Sequence, residues 1–220
     1  MVERIARRSL LALAGAVPLA LAACSDDGSD DGAAPAAGGD DPAGTSGTDT
    51  TDGPLTPTPA CGDDDEPTPD QTEGPFFSSG TPERSSLREP GIDGTPMVVE
   101  GAVVTTECAP IAGARIEIWH ADDAGEYDTE GYRLRGHLFT DDVGGFRVET
   151  IVPGLYTGRT RHIHAKVQPG GGSTLTTQLY FPDEPGNADD GIFDERLLMT
   201  VGDDADGARL GTFTFVLDPA

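Results

Sequence analysis

From residue 61 onward, short runs of alternating or β-branched residues recur, and Gly or Pro separates them. The runs are MVVEGAVVTT (97–106), ARIEIW (114–119), GHLFT (136–140), GFRVETI (145–151), RHIHAKV (161–167), TLTTQLYF (174–181) and GTFTFVLD (211–218). The breaks include Gly144-Gly145, Pro153-Gly154 and Pro169-Gly170. No stretch has a helical period and no segment repeats. Strand side chains alternate between two faces, so strands this short must pair and bury one face together. The pattern predicts an all-β fold, a β-sandwich or barrel; we take it as a single β-sandwich domain over residues 61–220. Roughly 150 residues is enough chain to bury one core.

The residues before this domain read differently. Arg4, Arg7 and Arg8 precede an apolar run from Leu10 to Ala22, and Ala20-Leu21-Ala22 supplies small residues for cleavage. Residues 1–23 are therefore expected to be a signal peptide, the run falling short of the roughly 20 residues that span a bilayer. Arg7-Arg8-Ser9-Leu10-Leu11 resembles a twin-arginine signal, and Leu21-Ala22-Ala23-Cys24 resembles a bacterial lipobox that would lipidate Cys24. The expectation is an exported, membrane-anchored lipoprotein at the cell surface. Plain secretion, with Cys24 incidental, is the alternative. Residues 24–60 are Asp, Gly, Ala, Pro, Thr and Ser with little to bury, which predicts a disordered acidic tether.

The formal net charge of -25 argues against nucleic acid or anionic membrane surfaces as partners. Membrane contact is expected only through the lipid anchor. Of the 3 cysteines, Cys61 and Cys108 remain once Cys24 is lipidated, and an exported domain can keep them as a disulfide. Two separate buried thiols are the other possibility.

Within RHIHAKV, Ile163, Ala165 and Val167 share one strand face while His162, His164 and Lys166 share the other. The chain has only 4 His, so half of them are here. An H-x-H pair is by itself a weak metal signal, and on spacing alone the histidines would face water. Tyr156 follows Val152-Pro153-Gly154-Leu155, and Tyr127 follows Trp119-His120-Ala121-Asp122-Asp123-Ala124-Gly125-Glu126. Each tyrosine taken singly reads as a core or rim residue with its hydroxyl bonded to backbone.

Four blocks taken together resemble the intradiol ring-cleavage dioxygenases, in particular their small secreted bacterial branch. They are TEGPFF (72–77), IEIWHADDAGEY (116–127), RGHLFTDDVGGF (135–146) and TIVPGLYTGRTRHIHAKV (150–167), in the family's order and spacing. The resemblance implies a non-haem Fe(III), one per chain, with Tyr127, Tyr156, His162 and His164 as its ligands. Tyr132 is a nearby rival for Tyr127 but lacks the Gly-x-Tyr placement. The donor chemistry agrees. A tyrosine with an ordinary pKa of about 10 is held as phenolate at neutral pH only by a strong Lewis acid. Two phenolates favour a trivalent ion, whereas zinc would be expected with Cys, His and carboxylates.

The same resemblance implies that Arg159 is an active-site arginine and that Gln178 lines the substrate pocket. It also implies that Gly74, Pro75 and Phe76 form one pocket wall, and that Tyr156 is the ligand a substrate displaces. Taken singly, Arg159 reads as a surface arginine, Gln178 as a polar strand residue and residues 74–76 as a turn. His120 and His137 read as structural or as supporting the ligands.

The implied reaction is cleavage of a catechol-type ring between its two hydroxylated carbons with O2, giving a cis,cis-muconate-type diacid. A neutral catechol is expected in preference to a strongly anionic one. The competing reading is a non-catalytic extracellular module that binds aromatic compounds or a polymer. The family's cytoplasmic members carry a helical N-terminal domain or a related second subunit in place of this anchor and tether. Their assembly contacts cannot be carried over, and the oligomeric state is left open.

Overall fold

The protein is described from a computed structural model covering residues 66–218. The expected signal peptide, Cys24, the 24–60 tether and Cys61 lie outside the described residues. Eight strands form two sheets: β1 Pro96–Thr105, β2 Arg115–Trp119, β3 Arg135–Phe139, β4 Gly145–Ile151, β5 His162–Gln168, β6 Leu175–Tyr180, β7 Thr200–Asp203 and β8 Arg209–Leu217. One sheet runs β4-β1-β8-β7 and the other β3-β2-β5-β6. All neighbours are antiparallel except β1 and β8, which are parallel. Among the described residues there is no α-helix, only 3-10 turns at Pro185–Ala188 and Glu195–Leu197.

The expected all-β sandwich is present, and seven of its strands fall on the runs named above. β7 is the addition. Its TVGD sequence is four residues with a glycine and an acid, too short to show alternation, and it is held as an edge by pairing with β8 from Thr200↔Thr212 to Asp203↔Arg209.

Alternation decides which faces meet. Ile116 and Ile118 of β2, Ile163, Ala165 and Val167 of β5, and Leu179 of β6 are all buried in one core with Val99, Val103 and Phe215 of the facing sheet. Each such side chain contributes about 1.5–3 kcal/mol through burial. β1 is buried on both faces along much of its length, as suits a strand inside its sheet whose sequence is nearly continuous apolar residues.

The outer face of the β3-β2-β5-β6 sheet is the one that alternation alone would give to water. An N-terminal arm covers it instead. Gln71 N–H donates to Thr176 O at 2.7 Å, Thr177 Oγ1 donates to Pro69 O at 2.8 Å, and Lys166 Nζ pairs with Glu73 at 2.7 Å. Farther along, Leu87 enters the core, and isolated bridges join Glu83 to His137 and Ser86 to Glu149. Cys108 lies just beyond β1 and is disulfide-bonded.

Candidate metal centre

Strand register lines up the first part of the site. Trp119 of β2 pairs with Arg135 of β3 on one side and His164 of β5 on the other, and His164 pairs with Gln178 of β6. His162 pairs with Tyr180 in the next such row. Residues directly opposite one another point to the same face, so Arg135, Trp119, His164, Gln178, His162 and Tyr180 share the outer face beneath the arm. Both histidines are buried, at 4% and 3% exposure, which answers the question their spacing raises. They face protein, not solvent.

Two loops then bring in the tyrosines. Asp122 Oδ1 accepts the amides of Ala124 and Glu126, and its backbone accepts Gly154 N–H at 2.7 Å. The loops touch backbone to backbone. A Cβ on Gly125, which sits at φ +86, would come within 2.2 Å of Leu155 O, and one on Gly154 within 2.4 Å of Gly125 N. Only glycine permits that approach, and it sets Tyr127 and Tyr156 on the same opening with ring centroids 5.7 Å apart. Tyr127 Oη reaches to 3.1 Å from His162 Nε2. Tyr132, by contrast, is exposed and its hydroxyl donates to Ser79 O at 3.2 Å.

The arm closes the site from above. Phe76 stacks on Tyr127 at 4.4 Å and 11°, and meets Tyr156 edge-on at 5.3 Å. Gly74, at φ +69, lies over His164, where a Cβ would stand 3.4 Å from Cε1. Pro75, between them, is exposed.

Hydrogen bonding fixes one imidazole. His162 Nδ1 lies 2.7 Å from Thr160 O and must donate to it, which leaves Nε2 bare toward Tyr127. Burial lowers the His162 pKa to about 4; the hydrogen bond to the Thr160 carbonyl opposes this, and the Arg159 charge adds a smaller lowering. Burial, then His162 and Arg159, hold His164 well below the usual value. Both rings are therefore neutral donors at neutral pH. Burial pushes the Tyr127 phenol well above its ordinary value, so without a cation it is un-ionised and donates to His162 Nε2.

Arg159 Nη2 donates to Gln178 Oε1 at 2.7 Å. Gln178 Nε2 in turn donates to Thr72 O at 2.9 Å. Three neighbours escaped sequence reasoning. Asp190 accepts Arg159 Nε at 2.8 Å and the Thr160 amide at 2.9 Å. Tyr180 Oη lies 3.3 Å from Arg159 Nη2 and 2.7 Å from Gln71 Oε1, and burial pushes its phenol up to about 12. Arg135, 1% exposed, donates to the Asp128 and Phe76 carbonyls and so ties the Tyr127 loop to the arm. Tyr180 was findable, since alternation puts it on Gln178's face two residues on. Asp190 sits in a loop rich in Gly and Asp that offers no such signal.

His120 and His137 serve the fold. His120 bridges Ala121 O at 2.7 Å and Thr150 Oγ1 at 2.6 Å, joining the end of β2 to β4. His137 Nδ1 lies 2.9 Å from Thr81 O on the arm.

The assembled donors fit a ferric ion. Among the described residues no cluster of three or more His, Cys, Asp or Glu could hold a metal, so a metal here depends on the phenols. Two hard oxygens and two neutral imidazoles suit Fe(III) better than a zinc site's usual ligands. His164 Nδ1 is enclosed without a hydrogen-bond partner, so hydrogen bonding within the protein does not account for this imidazole.

A family profile described as "Dioxygenase" matches residues 72–219. A catechol 1,2-dioxygenase of Pseudomonas sp. (strain EST1001) is 30% identical over 156 residues, 59% of this chain and 52% of that one. A hydroxyquinol 1,2-dioxygenase of Nocardioides simplex is 34% identical over 131 residues, 49% of this chain and 45% of that one. The chain thus spans about half the length of these curated relatives. Among solved structures, the dioxygenase domain of a dioxygenase–carbohydrate-binding protein fusion from Streptomyces sp. SirexAA-E is 52% identical with a TM-score of 0.68. That match covers 70% of this chain and 100% of the other. The 3-chlorocatechol 1,2-dioxygenase of Rhodococcus opacus 1CP is 29% identical with a TM-score of 0.66, covering 70% of this chain and 73% of the other.

Proposed function

The chain belongs to the intradiol ring-cleavage dioxygenase family, and from that premise we propose that it cleaves a catechol-type ring between its two hydroxylated carbons with O2. The observation that carries this reading is the convergence of Tyr127, Tyr156, His162 and His164 beside a paired Arg159 and Gln178. A site built only to store metal or to staple the fold has no need of that pair.

Tyr127, Tyr156, His162 and His164 would hold one Fe(III). When bound, the ferric ion supplies Lewis acidity that draws electron density from the ring and readies it for O2. The chain's own groups do the rest. Tyr156, half-buried, would be held as phenolate by the cation and would take one catechol proton at its Oη, becoming a neutral phenol. Tyr127, stacked under Phe76 and directed at His162, stays in place. Arg159 presents fixed positive charge where negative charge develops on the ring. Gln178, held by Thr72 O and Arg159, orients the substrate. Phe76 keeps water from the Tyr127 side.

Neutral catechols are the favoured substrates. Asp122, Glu126 and Asp128 beside Tyr127, with Arg133 among them, and the formal net charge of -25 disfavour the approach of a strongly anionic ring. The enzyme acts outside the cytoplasm as an anchored lipoprotein, a reading that rests on Arg7-Arg8, the apolar run and Cys24. The deciding assay gives iron-loaded protein a panel of neutral and anionic diols and follows oxygen uptake with product mass. One O2 consumed per ring and a muconate-type diacid are expected. A colour change on adding catechol with no oxygen consumed across the panel identifies a binding module instead.

A further inference from the structure

The two candidate imidazole ligands are held by different means. A metal-binding histidine ordinarily donates its second ring N–H to a carbonyl or carboxylate, which fixes the ring's orientation. His162 follows that pattern through Thr160 O. His164 does not, for its Nδ1 is enclosed with no partner. What it has instead is a flat neighbour. The indole of Trp119, its partner across the β2–β5 ladder, lies 4.8 Å from the His164 ring centroid at an interplanar angle of 6°.

Trp119 is the chain's only tryptophan and is 1% exposed, yet its Nε1 also lacks a hydrogen-bond partner. An enclosed, unpaired indole N–H is destabilising, so the residue's value here is not its donor. It is the area of the ring. That ring is the middle of a row: Lys166 Nζ sits 3.7 Å over Phe77, Phe77 meets Trp119 edge-on at 5.0 Å and 60°, and Trp119 faces His164. Lys166 is anchored in turn by Glu73 of the arm. On the remaining sides His164 has Gly74 over its Cε1 edge and His162 edge-on at 4.9 Å. None of these other neighbours presents a parallel surface.

We propose that Trp119 is a positioning residue that fixes the ring plane of His164 by face-to-face stacking, in place of the hydrogen bond that holds His162. The inference rests on the reading of His162 and His164 as iron ligands. It assigns Trp119 no contact with substrate. Its effect passes through His164 alone, and the arm shares in it through Phe77.

The test compares Trp119→Phe, which keeps an aromatic face, with Trp119→Leu and Trp119→Met, which do not. Phe146→Leu, a core change remote from the site, is the stability control. Each protein is freed of iron, and its Fe(III) affinity is measured by chelator competition alongside the ferric electron paramagnetic resonance signal. Leu and Met should weaken iron binding by about 10–100-fold and alter the ferric signal, while Phe stays within about threefold of the unaltered chain. Phe146→Leu should lower the thermal midpoint without moving the iron affinity. Leu or Met variants that fold and bind iron as tightly as the unaltered chain, with the same signal, overturn the inference. So does a Phe variant weakened as much as they are, and that variant alone decides if the others fail to fold. Should the unaltered chain take up no ferric ion, the functional reading falls first and this one with it.

Discussion

The guanidinium of Arg159 is anchored by the carboxylate of Asp190, its Nε donating to Oδ2 at 2.8 Å while the same oxygen accepts the Thr160 amide at 2.9 Å. Burial alone would raise the Asp190 pKa, but the Thr160 amide and Arg159 outweigh it and hold the carboxyl below its ordinary range. Asp190→Asn keeps the shape and removes the charge, loosening Arg159 without touching a candidate ligand. Iron content should be unchanged and kcat should fall about tenfold, the loss of one charged hydrogen bond. Steady-state oxygen uptake on iron-quantified protein measures it.

Arg159→Ala goes further. Removal of the cation should leave the ferric colour in place and reduce turnover on the order of 10²-fold, as loss of an electrostatic stabiliser does. Unchanged kcat with a raised KM would make Arg159 a binding residue only.

Protein expressed in iron-replete medium should be reddish, with about one iron per chain and a high-spin ferric signal. His164→Ala should lose iron and colour together. Stoichiometric zinc without a visible band would contradict the donor assignment.

His120 predicts a pH dependence of stability. Burial lowers its pKa from 6.5 to about 4 in the folded chain. Below pH 6.5 the unfolded chain takes up a proton that the folded chain refuses, so the stabilisation present above that pH is lost progressively toward pH 4. The full loss is about 3 kcal/mol. Urea midpoints of iron-free protein between pH 7 and about 4 should fall less steeply in His120→Gln than in the unaltered chain. Equal slopes would mean that His120 takes up its proton as readily in the folded chain as in the unfolded one.

The mature chain should begin at a lipid-modified Cys24 and sediment with membranes, while Cys24→Ala yields soluble protein. Peptide mapping without reductant should join Cys108, which is disulfide-bonded, to Cys61. A soluble native product starting beyond Cys24 would overturn the anchor.

What the sequence revealed followed what is periodic or local. The division of β5 into an Ile163–Ala165–Val167 face and a His162–His164–Lys166 face was legible, because strand geometry alone produces it. The burial of the second face was not, because the cover is the arm around EPTPDQTEGPFF, whose residues have no strand pattern. Tyr127 and Tyr156 stood out through the family resemblance, each reading singly as a core or rim residue, and the tight approach of the two loops gives Gly125 and Gly154 before them a physical cause. Asp190 comes close to Arg159 through tertiary structure only, 31 residues away with no repeat to announce it.

The covering arm also imposes an order on folding. Its residues are synthesised early, yet their partners come late: Gln71 bonds to Thr176 and Thr68 to Val216. Contacts so distant in sequence carry a loop-closure cost that local pairing does not. Until β6 and β8 are in place the part of the arm around Thr68 and Gln71 lacks those partners, although Glu83 to Leu87 can already meet β3 and β4. The residues around Thr68 and Gln71, made before every strand, therefore close over the site only once the last strands have been added.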